Sequence, residues 1–268
     1  MMWTPAFNGK ERALMREILG RRRRLRYRRK KGPVQLEAAL TFAVEWQWPV
    51  LPGAGLKSAG GDRSEGRGRS RGERGCACPD PECVVPGAHP FDPGLLAATT
   101  DERMIRWWWT NRPTAPIMLA TGGPARAGGS GDGRAPCAVS LPAVAASRAL
   151  SVLDRMDMRL GPVVATPTRW SLLVAPYTLE QLGELLFVKD CVPSSLRFHG
   201  SGGYLVLPPS ETGTGQVRWE RAPLPGSSAP WLPDVEAVVD ALVEASASSA
   251  PGSGLYPPES GEGSRLTY

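Results

Sequence analysis

Apolar runs long enough to cross a membrane are absent from this chain of 268 residues, which excludes a transmembrane helix. Histidine is nearly absent too, with two residues, and cysteine is scarce, with five. An odd and small number of cysteines is a poor basis for a disulfide framework, so the thiols are expected in a reducing compartment. The N-terminal segment lacks the apolar core of a secretory leader, because Lys10, Glu11, Arg12 and Arg16 interrupt it early. These shortages predict a cytoplasmic protein. Large apolar residues are also nearly missing from residues 53–75, and residues 245–268 are mostly Ser, Gly, Pro and Glu. Neither stretch can offset the entropy of ordering, so both are expected to be mobile. About 190 residues remain for one domain that mixes helices and strands.

What is present is unevenly placed. Three of the five cysteines and one of the two histidines fall within fourteen residues: Cys76, Cys78, Cys83 and His89. Pro79, Pro81, Pro86 and Gly87 lie between them and predict a folded-back loop. Three thiolates and an imidazole form a complete tetrahedral set for zinc, and a site with four protein ligands has no open position for a reactive water. The expectation is a structural zinc knuckle over residues 76–90, against the alternative of ordinary buried or reactive thiols. Cys137 and Cys191 read as small buried apolar residues.

Charge is equally local. The net charge of +6 conceals nine positive residues without an intervening acid: Arg21, Arg22, Arg23, Arg24, Arg26, Arg28, Arg29, Lys30 and Lys31. The remaining 23 basic residues face 26 acidic ones, a balance of −3, so the body is close to neutral. An arm of this kind over residues 1–32 binds the phosphates of DNA or RNA by counterion release, without sequence preference and with steep salt dependence. Tyr27 offers one ring for base stacking. The alternatives are docking on an acidic protein partner and a solvated tail with no fixed partner.

Hydrophobic periodicity supplies the rest of the outline. Leu36, Ala39, Leu40, Ala43 and Val44 predict a helix over 34–47, followed by an extended edge segment at 48–52. Thr99-Thr100-Asp101-Glu102 reads as an N-cap with acids in the first turn of a helix carrying Trp107, Trp108 and Trp109, which ends before Pro113. Three consecutive tryptophans cannot all face one core, so one is expected to be exposed or to cover a loop; a base-stacking platform is the alternative to packing. Strands are expected at 116–120, 137–141, 163–166, 170–174, 196–198, 204–207 and 216–219, and helices at 142–157, 179–187 and 233–244. The fold class is α+β, with a mixed or antiparallel sheet flanked by helices. The division is an arm at 1–32, a domain at 33–225, a C-terminal helix within 226–246 and a disordered tail at 247–268.

The order of several motifs resembles a known family. Helix 34–47, Trp48-Pro49-Val50, the Cys-x-Cys…Cys…His89-Pro90 knuckle, Ala98-Thr99-Thr100-Asp101, Trp107-Trp108 and Ala120-Thr121-Gly122 are similar to the N-terminal domain of bifunctional DNA primase-polymerases, in the archaeo-eukaryotic primase superfamily. Gly161-Pro162-Val163-Val164-Ala165-Thr166-Pro167 and Gly202-Gly203-Tyr204-Leu205-Val206-Leu207-Pro208-Pro209-Ser210 extend the resemblance over about residues 34–222. It implies a palm-like sheet that adds nucleotides with two divalent cations, magnesium or manganese, held by carboxylates. It also implies a histidine at the triphosphate, and approach of the loops containing Lys57, Gly122 and Gly123 to the nucleotide.

This chain departs from that pattern. The strand where the acid pair is expected reads Cys137-Ala138-Val139-Ser140-Leu141-Pro142, the hairpin expected to bring histidine reads Thr168-Arg169-Trp170-Ser171, and Ser195 stands about where the last acid belongs. His199 lies on a later strand, where a partly exposed turn residue is the expectation. Asp80 and Glu82 are locked in the knuckle, and Asp154 and Asp157 read as solvated charges at a helix end. The face around Val139, Trp170 and Leu196 is where the outcome is decided. The reading is a catalytically degenerate primase-polymerase-like protein that acts by binding nucleic acid or a partner. The alternative is an active template-dependent primase/polymerase working by two-metal phosphoryl transfer.

Overall fold

A computed structural model describes residues 34–57, 75–123, 135–189, 192–224 and 229–247. The basic arm, residues 58–74 of the expected mobile loop, the 124–134 loop, Cys191 and the tail beyond Ala247 lie outside the described residues.

Helix α1, Val34–Leu40, passes into a wider π turn over Thr41–Glu45. It stops there because the Gln47 side chain donates to the carbonyls of Ala43 and Val44, groups a continuing helix would otherwise use. Strand β1, Val50–Gly55, runs past the expected end at Pro52. It continues because glycine fits there: a Cβ at Gly53 would lie 3.0 Å from Met118 Sδ and 3.2 Å from the Gly87 carbonyl. Strand β2 is Gly87–Pro90, and a short 3-10 turn follows at Leu95–Ala97. Helix α2, Glu102–Asn111, opens on Asp101, whose side chain accepts the Met104 amide at 3.0 Å. Its three tryptophans divide as expected, with Trp107 61% exposed while Trp108 and Trp109 are buried.

Strand β3, Ile117–Thr121, pairs with β1 and with a later strand, β8, Gly203–Leu207. Together they form a four-stranded sheet in the order β2-β1-β3-β8. Ile117, Met118 and Leu119 are consecutive and all buried, so β3 is covered on both faces. Strand β4, Cys137–Pro142, leads directly into helix α3, Ala143–Arg155. Strands β5, Val163–Ala165, and β6, Arg169–Val174, form a tight hairpin. Helix α4, Leu179–Phe187, starts on a capping box between Thr178 and Gln181. With β7, Arg197–His199, and β11, Arg218–Arg221, they build a five-stranded sheet in the order β11-β5-β6-β4-β7. A small ribbon of β9, Glu211–Thr212, and β10, Gly215–Gln216, stands apart from both. Every pairing is antiparallel.

The last helix, α5, is Val235–Ala247, close to the expected 233–244. Pro230 and Pro233 hold the approach to it extended, and the Pro233 carbonyl accepts the Ala175 amide. One core joins the two sheets through Trp48, Leu51, Ile105, Trp109, Leu119 and Leu207 with Ala138, Val164 and Leu173. A second core lies beneath the other face of the five-stranded sheet, where Val139, Leu141 and Leu172 meet Leu150 and Leu153 of α3, Leu182 of α4 and Val238 of α5.

The chain passes from one sheet to the other at Gly200-Ser201-Gly202, between β7 and β8. The turn after β3 packs onto that crossing: Thr121 Oγ1 donates to the Gly200 carbonyl at 2.7 Å, and Gly122 adopts φ +61°. A Cβ at Gly122 would lie 2.7 Å from the Ser201 amide nitrogen. Gly122→Ala is therefore expected to destabilise the protein by more than about 1 kcal/mol, read as a lower urea midpoint.

Candidate metal centre and cationic cleft

The four residues that the sequence singles out as candidate metal ligands lie together in the structure. Cys76, Cys78, Cys83 and His89 bring their ligand atoms within 4.8 Å of one another, a cluster that can bind a metal such as zinc. Backbone pairing makes this possible. The bridge Leu56↔Cys76 and the β1–β2 ladder carry the first cysteine and the histidine to the same place. Cys76, 2% exposed, accepts the Gly87 amide at 3.2 Å and lies 3.3 Å from His89 Nε2. His89 Nδ1 sits 2.9 Å from the Pro90 carbonyl, which fixes the proton there and leaves Nε2 free for a metal.

The thiols are electrostatically unequal. Burial pushes Cys76 up, but backbone hydrogen bonds from Cys78 and Gly87 and contacts with His89 and Cys78 outweigh it and bring the group down to about 6. Cys83 is pushed up to about 11, by burial first and by the thiols of Cys76 and Cys78. A second and third thiolate beside the first are unfavourable alone, and a dication at the centre removes that penalty.

A second constellation lies on the five-stranded sheet, and the sequence did not assemble it. Cross-strand register puts Ser140 opposite Ser171 on one side and Arg197 on the other, Pro142 opposite Arg169, and Ala138 opposite His199. Residues directly opposite share a face, so Ser140, Arg169, Ser171, Arg197 and His199 lie on the face that continues toward Ala138, Val164 and Leu173. Val139, Trp170 and Leu196 turn the other way, into the helix-covered core. The face expected to decide the chemistry is thus one residue out of phase with the face that carries Ser140, Arg169 and Arg197.

At its centre is Ser140, with no exposed surface. Arg169 Nε donates to Ser140 Oγ at 3.0 Å, and Arg169 Nη2 donates to the carbonyls of Ser140 and Ser195 at 2.9 and 2.6 Å. With its oxygen accepting from Arg169, Ser140 directs its hydroxyl proton to His199 Nε2, 2.9 Å away. The imidazole also bonds the Tyr204 backbone. Burial first, then the charges of Arg169 and Arg197, hold His199 below its ordinary value, so the ring is neutral at pH 7. Burial and Arg197 also lower Arg169, which remains a cation. A buried hydroxyl cannot reach a substrate carbonyl, so Ser140 and His199 do not form a presented nucleophile and base.

His199 lies on the expected strand and is partly exposed, but it is tied to Ser140 rather than standing in a turn. Arg169 and Arg197 escaped notice because their meeting depends on strand register. The available signal was the i, i+2 spacing of Arg197 and His199, and the arginine in the hairpin at the position examined for histidine. Asp154 bonds Arg221 at the surface, and Asp80 Oδ1 accepts the Glu82 amide inside the knuckle loop, so neither contributes to this face. Lys57 is exposed and its amide bonds the Gly75 carbonyl. Among the described residues no helix is long and apolar enough to cross a membrane.

A family model described as the N-terminal domain of bifunctional DNA primase/polymerases matches residues 39–234, more than half of the chain. Neither a curated protein nor a solved structure matches.

Proposed function

The chain belongs to the family of N-terminal domains of bifunctional DNA primase/polymerases, and from that premise we propose that it binds nucleic acid without adding nucleotides to it. The observation that carries this reading is the occupancy of the cleft face. Two-metal phosphoryl transfer needs carboxylate oxygens converging on magnesium or manganese, since neutral oxygens compete poorly with the hydration shell. Ala138, Ser140, Arg169, Ser171, Arg197 and His199 offer hydroxyls, an imidazole and two guanidiniums, and guanidiniums repel a cation. These residues do not fit a divalent metal pair.

The eleven-residue run from Arg21 to Lys31, nine of them basic, supplies a tether to phosphates, while the near-neutral body contributes shape. The Cys76, Cys78, Cys83 and His89 set holds zinc as a structural ion, because four protein ligands close the coordination sphere. His89 lies on β2 and Cys76 bridges to Leu56 just past β1, so the centre braces the edge of the four-stranded sheet.

Primer extension with a primed template and manganese tests the first point, with no template-dependent product expected. A robust product abolished by chelation would instead establish the active alternative. Gel-shift titration at two salt concentrations tests the tether. Affinity should fall steeply with salt, and replacing the nine basic residues with glutamine in the full chain should flatten that dependence. Unchanged affinity after replacement would move the arm's role to an acidic protein partner.

A further inference from the structure

Two guanidiniums lie near one another on the five-stranded sheet without a carboxylate partner among the described residues. Arg169 is anchored from β6 across β4: its Nε bonds Ser140 Oγ and its Nη2 bonds the Ser140 and Ser195 carbonyls. Its Nη1 has no partner among the described residues. Arg197 stands on β7 directly opposite Ser140, is exposed, and makes no ion pair among the described residues. Their charges act on each other and on His199. Every hydrogen-bond partner Arg169 has among the described residues is a neutral oxygen, so these bonds position the cation without neutralising it.

Like charges held together on a rigid sheet repel, and an anion seated between them reverses the sign of that interaction. Anchoring also removes most of the rotamer entropy that a free arginine loses on binding. We propose that this cleft holds a phosphoryl group directly on Arg169 and Arg197, with no divalent cation between protein and ligand. Two full positive charges match the charge of about −2 on a terminal phosphate, whereas a carboxylate carries one. Guanidinium geometry suits phosphate oxygens, with Nη1 of Arg169 and the mobile head of Arg197 as the donors. Ser140 and His199 act as positioning residues that fix the Arg169 plane. This deepens the non-polymerising reading and rests on it, because contact without a metal is the chemistry left where carboxylates are not present. The phosphoryl group belongs either to the tail of a nucleoside triphosphate or to a nucleic-acid backbone.

The test is equilibrium binding to the full chain at raised salt, which screens the exposed arm. Inorganic triphosphate, a deoxynucleoside triphosphate and a short single-stranded oligonucleotide are the probes, each with magnesium and with chelator. At least one probe should bind within twofold equally under both conditions. Arg197→Gln, a change at an exposed side chain, should weaken that binding about 10- to 100-fold, and Arg169→Gln at least as much. Arg218→Gln is the control, because Arg218 is already paired with Glu220; it should change nothing. Binding of the triphosphates alone assigns the site to a nucleotide tail, and binding of the oligonucleotide alone assigns it to a backbone phosphate. Binding lost with chelator, binding indifferent to Arg197→Gln, or binding of no probe overturns the proposal. Primer extension on the same preparation separates the two ideas: a template-dependent product sinks the non-polymerising reading, and its absence alongside chelator-sensitive binding sinks only the phosphate site.

Discussion

Replacing Cys76 with serine is expected to leave the purified protein without the zinc proposed for this cluster and to lower its unfolding temperature by about 10 °C, the shift that roughly 4 kcal/mol produces in a domain of this size. The effect is large because Cys76 has two duties. It is a ligand in the cluster with Cys78, Cys83 and His89, and it is the buried acceptor for the Gly87 amide at 3.2 Å, where the knuckle rejoins β2. Serine is shorter and does not ionise, so it can neither hold the metal nor fill the volume of sulfur. Cys78→Ser should lose the ion as well. Elemental analysis of the wild-type chain should give about one zinc per molecule, and calorimetry with and without chelator should reproduce the loss of stability without any mutation. A metal-free wild-type protein with undiminished melting temperature would remove the centre from consideration.

Trp109→Ala should cost about 4 kcal/mol, whereas Trp107→Ala, two residues away on the same helix, should change stability by less than about 0.5 kcal/mol. Trp109 is 0% exposed, packs edge-on against Trp108 and donates its indole N–H to the Ala115 carbonyl at 3.0 Å. Its removal leaves a large void where the two sheets share a core, and leaves that carbonyl without its indole donor. Trp107 projects from the opposite side of α2 into solvent. Paired denaturation curves of the two variants check the contrast. Equal losses would mean that Trp107 is covered by something that its measured exposure does not include.

The parts of this molecule that sequence revealed are those set by neighbours in the chain. Four candidate ligands within fourteen residues form a cluster whose spacing is legible, and the start of α2 was legible within Thr99-Thr100-Asp101-Glu102, where the structure makes Asp101 the cap. The order of strands and helices followed from periodicity in the same way. The cleft was not legible. Ser140 and His199 are 59 positions apart and Arg169 and Ser140 are 29 apart, and their contacts depend on register across three strands. A shift of one residue exchanges the faces of a strand. Val139 and Trp170 were accordingly placed at the decisive surface, although they face the helices and their neighbours face the cleft. The end of β1 was missed for another reason: Gly53-Ala54-Gly55 reads as loop, yet close approach of Met118 and Gly87 is what makes glycine fit within that strand.

Strand β2 lies at the border of its sheet, with β1 on one side only. Exposed borders of that kind invite a second molecule to add its own strand. Here the border is four residues long, ends in Pro90, and places His89 within a metal cluster, while the Pro86 carbonyl just before it accepts the Gly213 amide. Each device blunts pairing with a stranger. A metal bound at this cluster would therefore guard solubility as well as shape, and its loss would expose the molecule first to self-association and only then to unfolding.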